Sequence, residues 1–367
     1  MSKLLTPILI FILSLNLNFG IMLIAQTKQS SNSPLCSLDA PINFASSNRH
    51  LIKLNQYQSI CRSKISSELM IFLPTPTSLD SALEISVDLF DNAKTFAKHG
   101  ITPLVVMEPS DIEGNLISFR QLANGKYNHW ISKMFANLIK LGTTASELGT
   151  IVLLPEANTP IWNFAGTKDS DFSVIFNNIA GSIKNQYPTA KLSLMLNSSS
   201  YTPNDTEWDN PLNKSYLDYT RGIKQGYLNS VGLQGFPYIS KRTKKLFKIN
   251  EPKNYLPVDK IAEVANFFNL KRIWINTGSF VEKYNSPNEK QTISTAELLW
   301  QTQRTAELAG NLQQKGYNVS VNYFLADKLN LGEQTNWSLL NSKYHPVFVN
   351  IVKQLNSRKI RLSIFDT

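Results

Sequence analysis

The sequence predicts a single-domain (β/α)8 barrel, and three observations lead to that fold class. Short apolar runs alternate with amphipathic stretches along most of the chain, which is typical of strand and helix units repeated around a parallel sheet. The chain has 367 residues and 42% hydrophobic composition, and roughly 330 residues after a leader suit one barrel with long loops. No glycine-rich phosphate loop follows a predicted strand, which disfavours an open doubly wound sheet.

Seven apolar runs are predicted to be strands of this barrel. Each run and the segment that follows it take roughly 40 residues, as expected for a repeated βα unit. An eighth strand is needed for closure, and we expect it between Pro41 and Ile60, where the sequence is too polar to fix its position. The seven runs are residues 69–73, 101–107, 150–154, 191–196, 231–236, 272–275 and 318–324.

The segments between these runs carry apolar residues at helical spacing. Over residues 81–99, apolar side chains recur every three or four positions and Gly100 follows, where a helix commonly ends. Gly142 and Gly316 stand at the same place after two later segments. Further helices are predicted over residues 128–141, 172–187, 216–227, 260–269 and 295–315.

The N-terminus is predicted to direct export. Lys3 precedes an apolar stretch that reaches Ala25, close to the length of about 20 residues at which a signal peptide and a membrane anchor become hard to distinguish. We therefore assign residues 1–25 to a signal peptide or membrane anchor, 26–40 to a polar linker and 41–367 to the barrel. The expected location is periplasmic, extracellular or on the outer side of a membrane.

Cys36 and Cys61 are the two cysteines of the chain. An oxidising compartment would let them form a disulfide that closes a loop of roughly 25 residues, and the alternative is two unpaired thiols.

The charge pattern and the histidines argue against several classes of function. The formal net charge is +10, but the basic residues are scattered apart from a short cluster at residues 241–245. We expect this cluster to be a solvated loop, and the alternative is a patch that attracts acidic glycans or a membrane surface. No nucleic-acid-binding module is present, so nucleic acid is not an expected partner. The four histidines lack metal-ligand spacing and Gly-x-Ser-x-Gly is missing, so neither a metal, a cofactor nor a serine nucleophile is predicted.

Glu156 is the leading candidate for a catalytic residue. It follows the apolar run 150–154 directly, and Asn158 and Trp162 come soon after it. Active sites of β/α barrels lie at the C-terminal ends of the strands, which favours a catalytic role for a carboxylate at this place. The alternative is that Glu156 caps a helix or lies in a solvated loop.

Other predicted strand ends carry aromatic and amide side chains. Sugar sites need flat apolar faces for pyranose rings and polar groups for hydroxyls. These side chains therefore predict a carbohydrate site on the C-terminal rim, with a polysaccharide or oligosaccharide as the partner. The candidate substrate-binding residues are Asn158, Trp162, Asn197, Tyr238, Asn276 and Phe324.

The order of short motifs resembles the β-mannanase-type glycoside hydrolase family 26. Ala123-Asn124-Gly125-Lys126-Tyr127 is similar to a Gly-Lys-Tyr-Asp segment before a helix of that family, and Pro155-Glu156-Ala157-Asn158 to the His-Glu-Met-Asn-Gly end of its fourth strand. The resemblance spans about residues 101–348 and implies that Glu156 is the general acid/base of a retaining hydrolase. Further matches are Glu108, Gly235-Phe236, Ile273-Trp274-Ile275, Tyr323-Phe324 and the run from Trp337 to Ser342.

The chain departs from the family where its nucleophile would lie. The family keeps a glutamate on its seventh strand, and this chain has Asn276-Thr277 there. Three hypotheses remain open: hydrolysis with a second carboxylate from elsewhere, an inactive barrel that binds glycans, or an unrelated task in which Glu156 is structural. The candidates for the second carboxylate are Glu108 and Asp327, followed by Asp111, Glu207 and Glu282.

Overall fold

The fold was analysed in a computed structural model of the chain. The structure describes residues 48–61, 68–156, 158, 169–198, 215–236, 256–278, 281–286, 289–325 and 335–365. Several predicted positions lie outside these ranges, namely the leader and linker, Cys36, Trp162, Glu207, Tyr238 and Asp327.

Eight parallel strands form a closed barrel, as the sequence predicts. Their order around the barrel follows their order along the chain, and the last strand pairs with the first through Leu69 and Ile364. The barrel strands are β1 (Glu68–Leu73), β2 (Thr102–Met107), β3 (Thr150–Pro155), β4 (Lys191–Asn197), β5 (Ser230–Gln234), β6 (Arg272–Gly278), β9 (Asn318–Phe324) and β11 (Arg361–Phe365).

Helices cover the outside of the barrel. Serine N-caps begin three of them, because the hydroxyls of Ser78, Ser215 and Ser294 accept hydrogen bonds from backbone N–H groups of the first turn. The helices in the described ranges are α1 (Arg49–Cys61), α2 (Leu79–Lys98), α3 (Phe119–Ala123), α4 (Asn128–Lys140), α5 (Asp169–Gln186), α6 (Tyr216–Thr220), α7 (Val258–Phe267), α8 (Thr295–Gln314) and α9 (His345–Ser357). In these ranges, no helix is both long and apolar enough to cross a membrane.

The predicted position of the eighth strand was wrong. The region between Pro41 and Ile60 contributes α1, in which Leu51, Leu54, Tyr57 and Cys61 are buried at helical spacing. The eighth strand is β11, at the other end of the chain. In the structure Glu156 therefore follows the third barrel strand, and Asn276 lies on the sixth. The resemblance to family 26 had assigned them to the fourth and seventh strands.

Helix α1 takes the place of the helix that would follow β11. Asn48, just before α1, donates from its side chain to Asn92 of α2 at 2.9 Å, and His50 packs edge-on against Phe96 of the same helix. Near the other end of α1, the ring of Tyr57 lies 4.8 Å from that of Phe348 on α9. The helix thus closes the outer layer between α9 and α2.

The inside of the barrel has its own small core, separate from the larger core between strands and helices. Trp274 of β6 is its largest side chain, fully buried, and its indole Nε1 donates to Ser193 Oγ at 2.9 Å. Gly232 gives the indole room, because a Cβ there would lie 2.2 Å from Trp274 Cζ2. The other buried members of this inner core are Met70, Leu104, Val106, Val152, Met195 and Phe324.

A small antiparallel sheet lies outside the barrel. It consists of β10 (Thr335–Asn336), β7 (Glu282–Ser286) and β8 (Glu289–Thr292), in that order. Val281 N–H donates to the carbonyl of Asn336 at 2.7 Å, which connects the segment after β6 to the segment after β9. This connection fixes the next residue, Trp337, beside the mouth of the barrel.

Candidate functional site at the mouth of the barrel

A β-bulge at the end of β3 sets the position of Glu156. The pairing with β4 shifts register between Leu153 and Pro155, and Glu156 N–H donates to the carbonyl of Met195 at 2.9 Å. Leu154 and Glu156 both adopt left-handed backbone, with φ of 53° and 54°. Such conformations cost about 1–3 kcal/mol each and concentrate at functional sites, and bulges beside active sites commonly re-aim a side chain.

Side-chain amides from the next two strands hold the Glu156 carboxylate. Asn197 Nδ2 donates to Glu156 Oε1 at 2.6 Å, and Gln234 Nε2 donates to the same oxygen. Asn276 Nδ2 in turn donates to Gln234 Oε1. These three amides are register partners on β4, β5 and β6, so they form one row, called here the amide row.

The amide row determines which chemistry Glu156 can perform. Amide N–H groups donate to oxygens that accept, so both bonds to Oε1 suit an ionised carboxylate. A proton delivered by Glu156 would therefore have to be carried on Oε2. Asn276, at the position where the resemblance places a nucleophile, acts as a donor at the end of this row.

Asn158 bridges the ends of β3 and β4. Its side chain donates to the carbonyl of Asn197 at 2.8 Å and accepts from Asn197 N–H at 2.8 Å. Asn158, Asn197 and Asn276 are all at most 1% exposed. Their predicted role in binding sugar hydroxyls stays a prediction. In the structure Asn197 bonds to Glu156, Asn158 to the backbone of Asn197, and Asn276 to Gln234.

Glu108 is a second carboxylate at the C-terminal end of a barrel strand. It follows β2, the strand next to β3, and it continues the alternation by which Leu104 and Val106 face the inner core. Its carbonyl accepts from Thr75 Oγ1 at 2.6 Å, which ties the end of β2 to the end of β1. Like Glu156, Glu108 is partly exposed.

Two other predicted carboxylates have different roles. Asp111 closes its own turn, since its carboxylate accepts from the backbone N–H groups of Glu113 and Asn115. Hydrogen bonds from Asn115 and Glu113 lower the pKa of Asp111. Glu282 lies on β7, outside the barrel, and pairs with Lys343 at 3.5 Å.

An aromatic cluster lies beside the amide row. The rings of Phe236, Phe324 and Trp337 are in mutual contact, with centroid separations of 5.1–5.9 Å. Phe236 and Trp337 are partly exposed, while Phe324 is buried beneath them. Gly278 permits this packing, because a Cβ there would lie 2.9 Å from the carbonyl oxygen of Phe324 and 3.4 Å from Trp337 Cε3.

The structure therefore connects four of the predicted residues, Glu156, Asn158, Asn197 and Asn276, through hydrogen bonds. Glu108 follows the adjacent strand β2, and Phe324 lies in the inner core of the barrel. Gln234 was not predicted as a site residue. The predicted strand covered residues 231–236 and placed Gln234 inside it, whereas β5 ends at Gln234. A polar residue interrupting an apolar run was the available signal. Phe236 and Trp337 were noticed as motif residues but not as members of the site.

Cys61 was predicted to form a disulfide, and it is disulfide-bonded at the end of α1. The sequence has one other cysteine, Cys36, which lies outside the described residues.

The comparison with solved structures supports the fold. No protein-family model and no curated protein matches the sequence. Among solved structures, the chain is similar to a family 1 β-glucosidase from Thermotoga maritima, with a TM-score of 0.50 and 13% identity over 84% of this chain and 86% of that one. The β-glucosidase from the same organism in complex with a methyl acetic acid-substituted glucoimidazole gives the same TM-score, identity and coverage. At this identity the likeness shows the fold, a TIM barrel of the kind found in glycoside hydrolases.

Proposed function

We propose that this protein is an exported, glycoside hydrolase-like barrel that acts on a polysaccharide, with Glu156 as general acid/base. One observation carries the proposal: Glu156 stands on a strained bulge at the barrel mouth, bonded to the amide row. Glu108 on the adjacent strand and the aromatic cluster beside the row add to it. The barrel fold shared with β-glucosidases supports the class of reaction but does not identify the sugar.

In the proposed reaction, Glu156 protonates the glycosidic oxygen as the bond to the sugar breaks. Glu108 supplies the second carboxylate. It would attack the sugar directly if the two carboxyl groups lie about 5–5.5 Å apart, or activate a water if they lie about 6.5–9.5 Å apart. Phe236 and Trp337, which are both partly exposed, supply the aromatic surface on which a pyranose stacks.

Export is part of the proposal. The apolar leader at residues 1–25 supports it, and so does the disulfide at Cys61, because disulfides persist mainly in oxidising compartments. Attachment to a membrane through the uncleaved leader is the variant form of this hypothesis.

A second candidate is a catalytically inactive barrel that binds glycans. Asn276 favours it, since this residue occupies the strand where the resemblance expects the nucleophile and donates its amide to Gln234. In this case Glu156 would accept hydrogen bonds from sugar hydroxyls and leave the glycosidic bond intact.

Reducing-end release from β-mannan, mixed-linkage β-glucan and xylan tests the first candidate. We expect Glu156→Gln to lower the rate about 10²- to 10⁴-fold, the usual contribution of a general acid, and Glu108→Gln to cause a loss of similar size. Glu84→Gln, on an exposed position of α2, is the matched control and should keep the parent rate. A Glu156→Gln variant as active as the parent would refute the assignment.

The configuration of the first product separates the two roles of Glu108. Proton NMR of the newly formed anomer should show retention if Glu108 is the nucleophile and inversion if it activates water. Equal activity of the parent and Glu108→Gln would show that another residue supplies the second carboxylate.

Affinity electrophoresis on gels containing the same glycans tests the second candidate. The parent and Glu156→Gln should both be retarded, Trp337→Ala should migrate freely, and Trp300→Ala on α8 should behave as the parent. Glycan cleavage by the parent protein would rule out binding as its whole function.

A further inference from the structure

A polar ring surrounds the other end of the barrel, opposite the mouth. The first residue of each barrel strand faces the interior, as shown by the alternation that also turns Met70, Val152 and Trp274 inward. Seven of these residues line a cavity of about 640 Å³, and six of them carry the argument: Glu68, Thr102, Thr150, Lys191, Arg272 and Arg361. This region is called the floor of the barrel.

One cation of the floor is fixed by its neighbours. Arg272 forms an ion pair with Glu68 at 2.5 Å and donates to Thr150 Oγ1 at 2.9 Å. Its side chain is 19% exposed and that of Glu68 is 7% exposed. The guanidinium is therefore held rigidly at the wall of the cavity, with its charge matched by one carboxylate.

The other two cations, Lys191 and Arg361, differ from Arg272 in their surroundings. Neither Lys191 nor Arg361 makes a side-chain hydrogen bond or ion pair within the described part of the chain, and both are exposed towards the cavity that they line. With Glu68 already engaged by Arg272, the floor carries two positive charges in excess. Like charges at one cavity repel each other, and an anion bound between them removes that repulsion.

We propose that the floor of the barrel binds a small molecule that carries an oxyanion, such as a phosphate ester or a uronate. Guanidinium groups match the oxygens of phosphate and carboxylate, and ammonium groups bind phosphate as point charges. The hydroxyls of Thr102 and Thr150 add polar groups beside them. A volume of about 640 Å³ exceeds what an inorganic anion needs and lies in the range of about 300–1,000 Å³ typical of small-molecule sites.

This site is independent of the mouth. The inner core around Trp274 lies between the two ends, since Trp274 is two residues above Arg272 on β6 and two below Asn276. A ligand at the floor would thus be recognised by charge. In β/α barrels the residues at this N-terminal end usually contribute to stability. The proposal stands or falls separately from any activity on glycans.

Isothermal titration calorimetry of the full chain tests it, with inorganic phosphate, glucose 6-phosphate and glucuronate as separate probes at low salt. We expect saturable binding of at least one probe, at least tenfold weaker in Lys191→Gln and in Arg361→Gln, because each variant removes one charged partner. Lys133→Gln, which removes an exposed charge from the outer helix α4, should bind as the parent does. Comparing the probes distinguishes a free anion from a sugar-borne phosphate or carboxylate.

Circular dichroism checks that the variants fold, which we expect because both side chains are exposed. Binding that is absent in the parent for all three probes would overturn the proposal. So would binding that is equal in the parent and both floor variants, or that falls as much in Lys133→Gln, since such binding would follow net charge and not the cavity.

Discussion

At the mouth of the barrel neutral amides hold a carboxylate, whereas at the floor a carboxylate holds a guanidinium. Glu156 accepts from Asn197 and Gln234, while Arg272 pairs with Glu68. The two amides hydrogen-bond to one oxygen of Glu156 without bringing an opposite charge to it. The ion pair at the floor neutralises its own charges, so binding there depends on the two cations outside the pair.

The layer around Trp274 allows the two ends to differ. It fills the barrel with apolar side chains between them, and the single polar atom of the indole is satisfied by Ser193. Because charges interact more weakly with increasing separation, each end can be altered with little effect on the other. The following variants and conditions test this comparison from its largest expected effect to its smallest.

Breaking the ion pair at the floor should cause the largest loss of stability. Arg272→Gln leaves the charge of Glu68 buried beside a neutral side chain, and breaking buried pairs costs about 3–5 kcal/mol. Urea unfolding measures the effect. Lys260→Gln is the control, because it breaks a surface pair whose side chains are 44% and 45% exposed. It should cost at most about 1 kcal/mol. Equal losses in the two variants would show that the floor pair contributes no more to stability than a surface pair.

Acid should weaken the floor side of the outer layer through His50. Burial and, secondarily, the charge of Arg49 lower the pKa of His50 from 6.5 to about 4. Between these values the unfolded chain binds a proton that the folded chain does not, so the stabilisation is complete above pH 6.5 and is lost as pH falls towards 4. The loss is at most about 3 kcal/mol.

Urea midpoints at pH 7.5 and 4.5 measure this effect. We expect a smaller difference between the two pH values in His50→Gln than in the parent. His129→Gln, at an exposed position, should retain the full difference. Unchanged acid sensitivity in His50→Gln would assign it to other groups.

Filling the space beside Trp274 should perturb the layer between the two ends. In Gly232→Ala the new methyl group would lie 2.2–2.5 Å from three indole carbons, and overpacking of this kind costs about 1–3 kcal/mol. Gly181→Ala is the control, because its nearest neighbour is 3.9 Å away and alanine in α5 should add about 0.5–1 kcal/mol. Two variants of equal stability would contradict the packing described for Trp274.

The smallest effect is expected at the mouth, from Gly278→Ala. The added methyl group pushes against Phe324 and Trp337, and losing one aromatic contact is worth about 1 kcal/mol, or roughly fivefold in glycan affinity. Affinity electrophoresis measures this change. The free energy of unfolding should also fall, because the methyl group presses on the backbone carbonyl oxygen of Phe324. Parent-like affinity would remove Trp337 from the binding surface.

Local sequence patterns were sufficient to predict the strands whose two faces both contact apolar layers. The seven runs of the barrel were found because both of their faces carry apolar residues over most of their length. β11 was missed, since Arg361 and Ser363 face the interior and interrupt the apolar run, leaving Leu362 and Ile364 to face the helices. α1 was mistaken for a strand region because polar residues separate its buried positions.

The residues at the mouth divide in the same way. Glu156 was predicted because a carboxylate directly after a buried strand is visible in the sequence. Its bonds to Asn197 and Gln234 were not, since they join residues 41 and 78 positions away. Register between strands, which no local pattern records, decides which amides share one row.

The class of fold, seven of the strands and the carboxylate at the mouth could be predicted from local patterns, because strand periodicity and a polar residue after a strand are local properties. Three features follow from the folded structure alone: β11 closes the barrel, Asn276 bonds to Gln234, and Lys191, Arg272 and Arg361 share one cavity. These are contacts between distant parts of the chain, and they arise only when eight strands close into one ring.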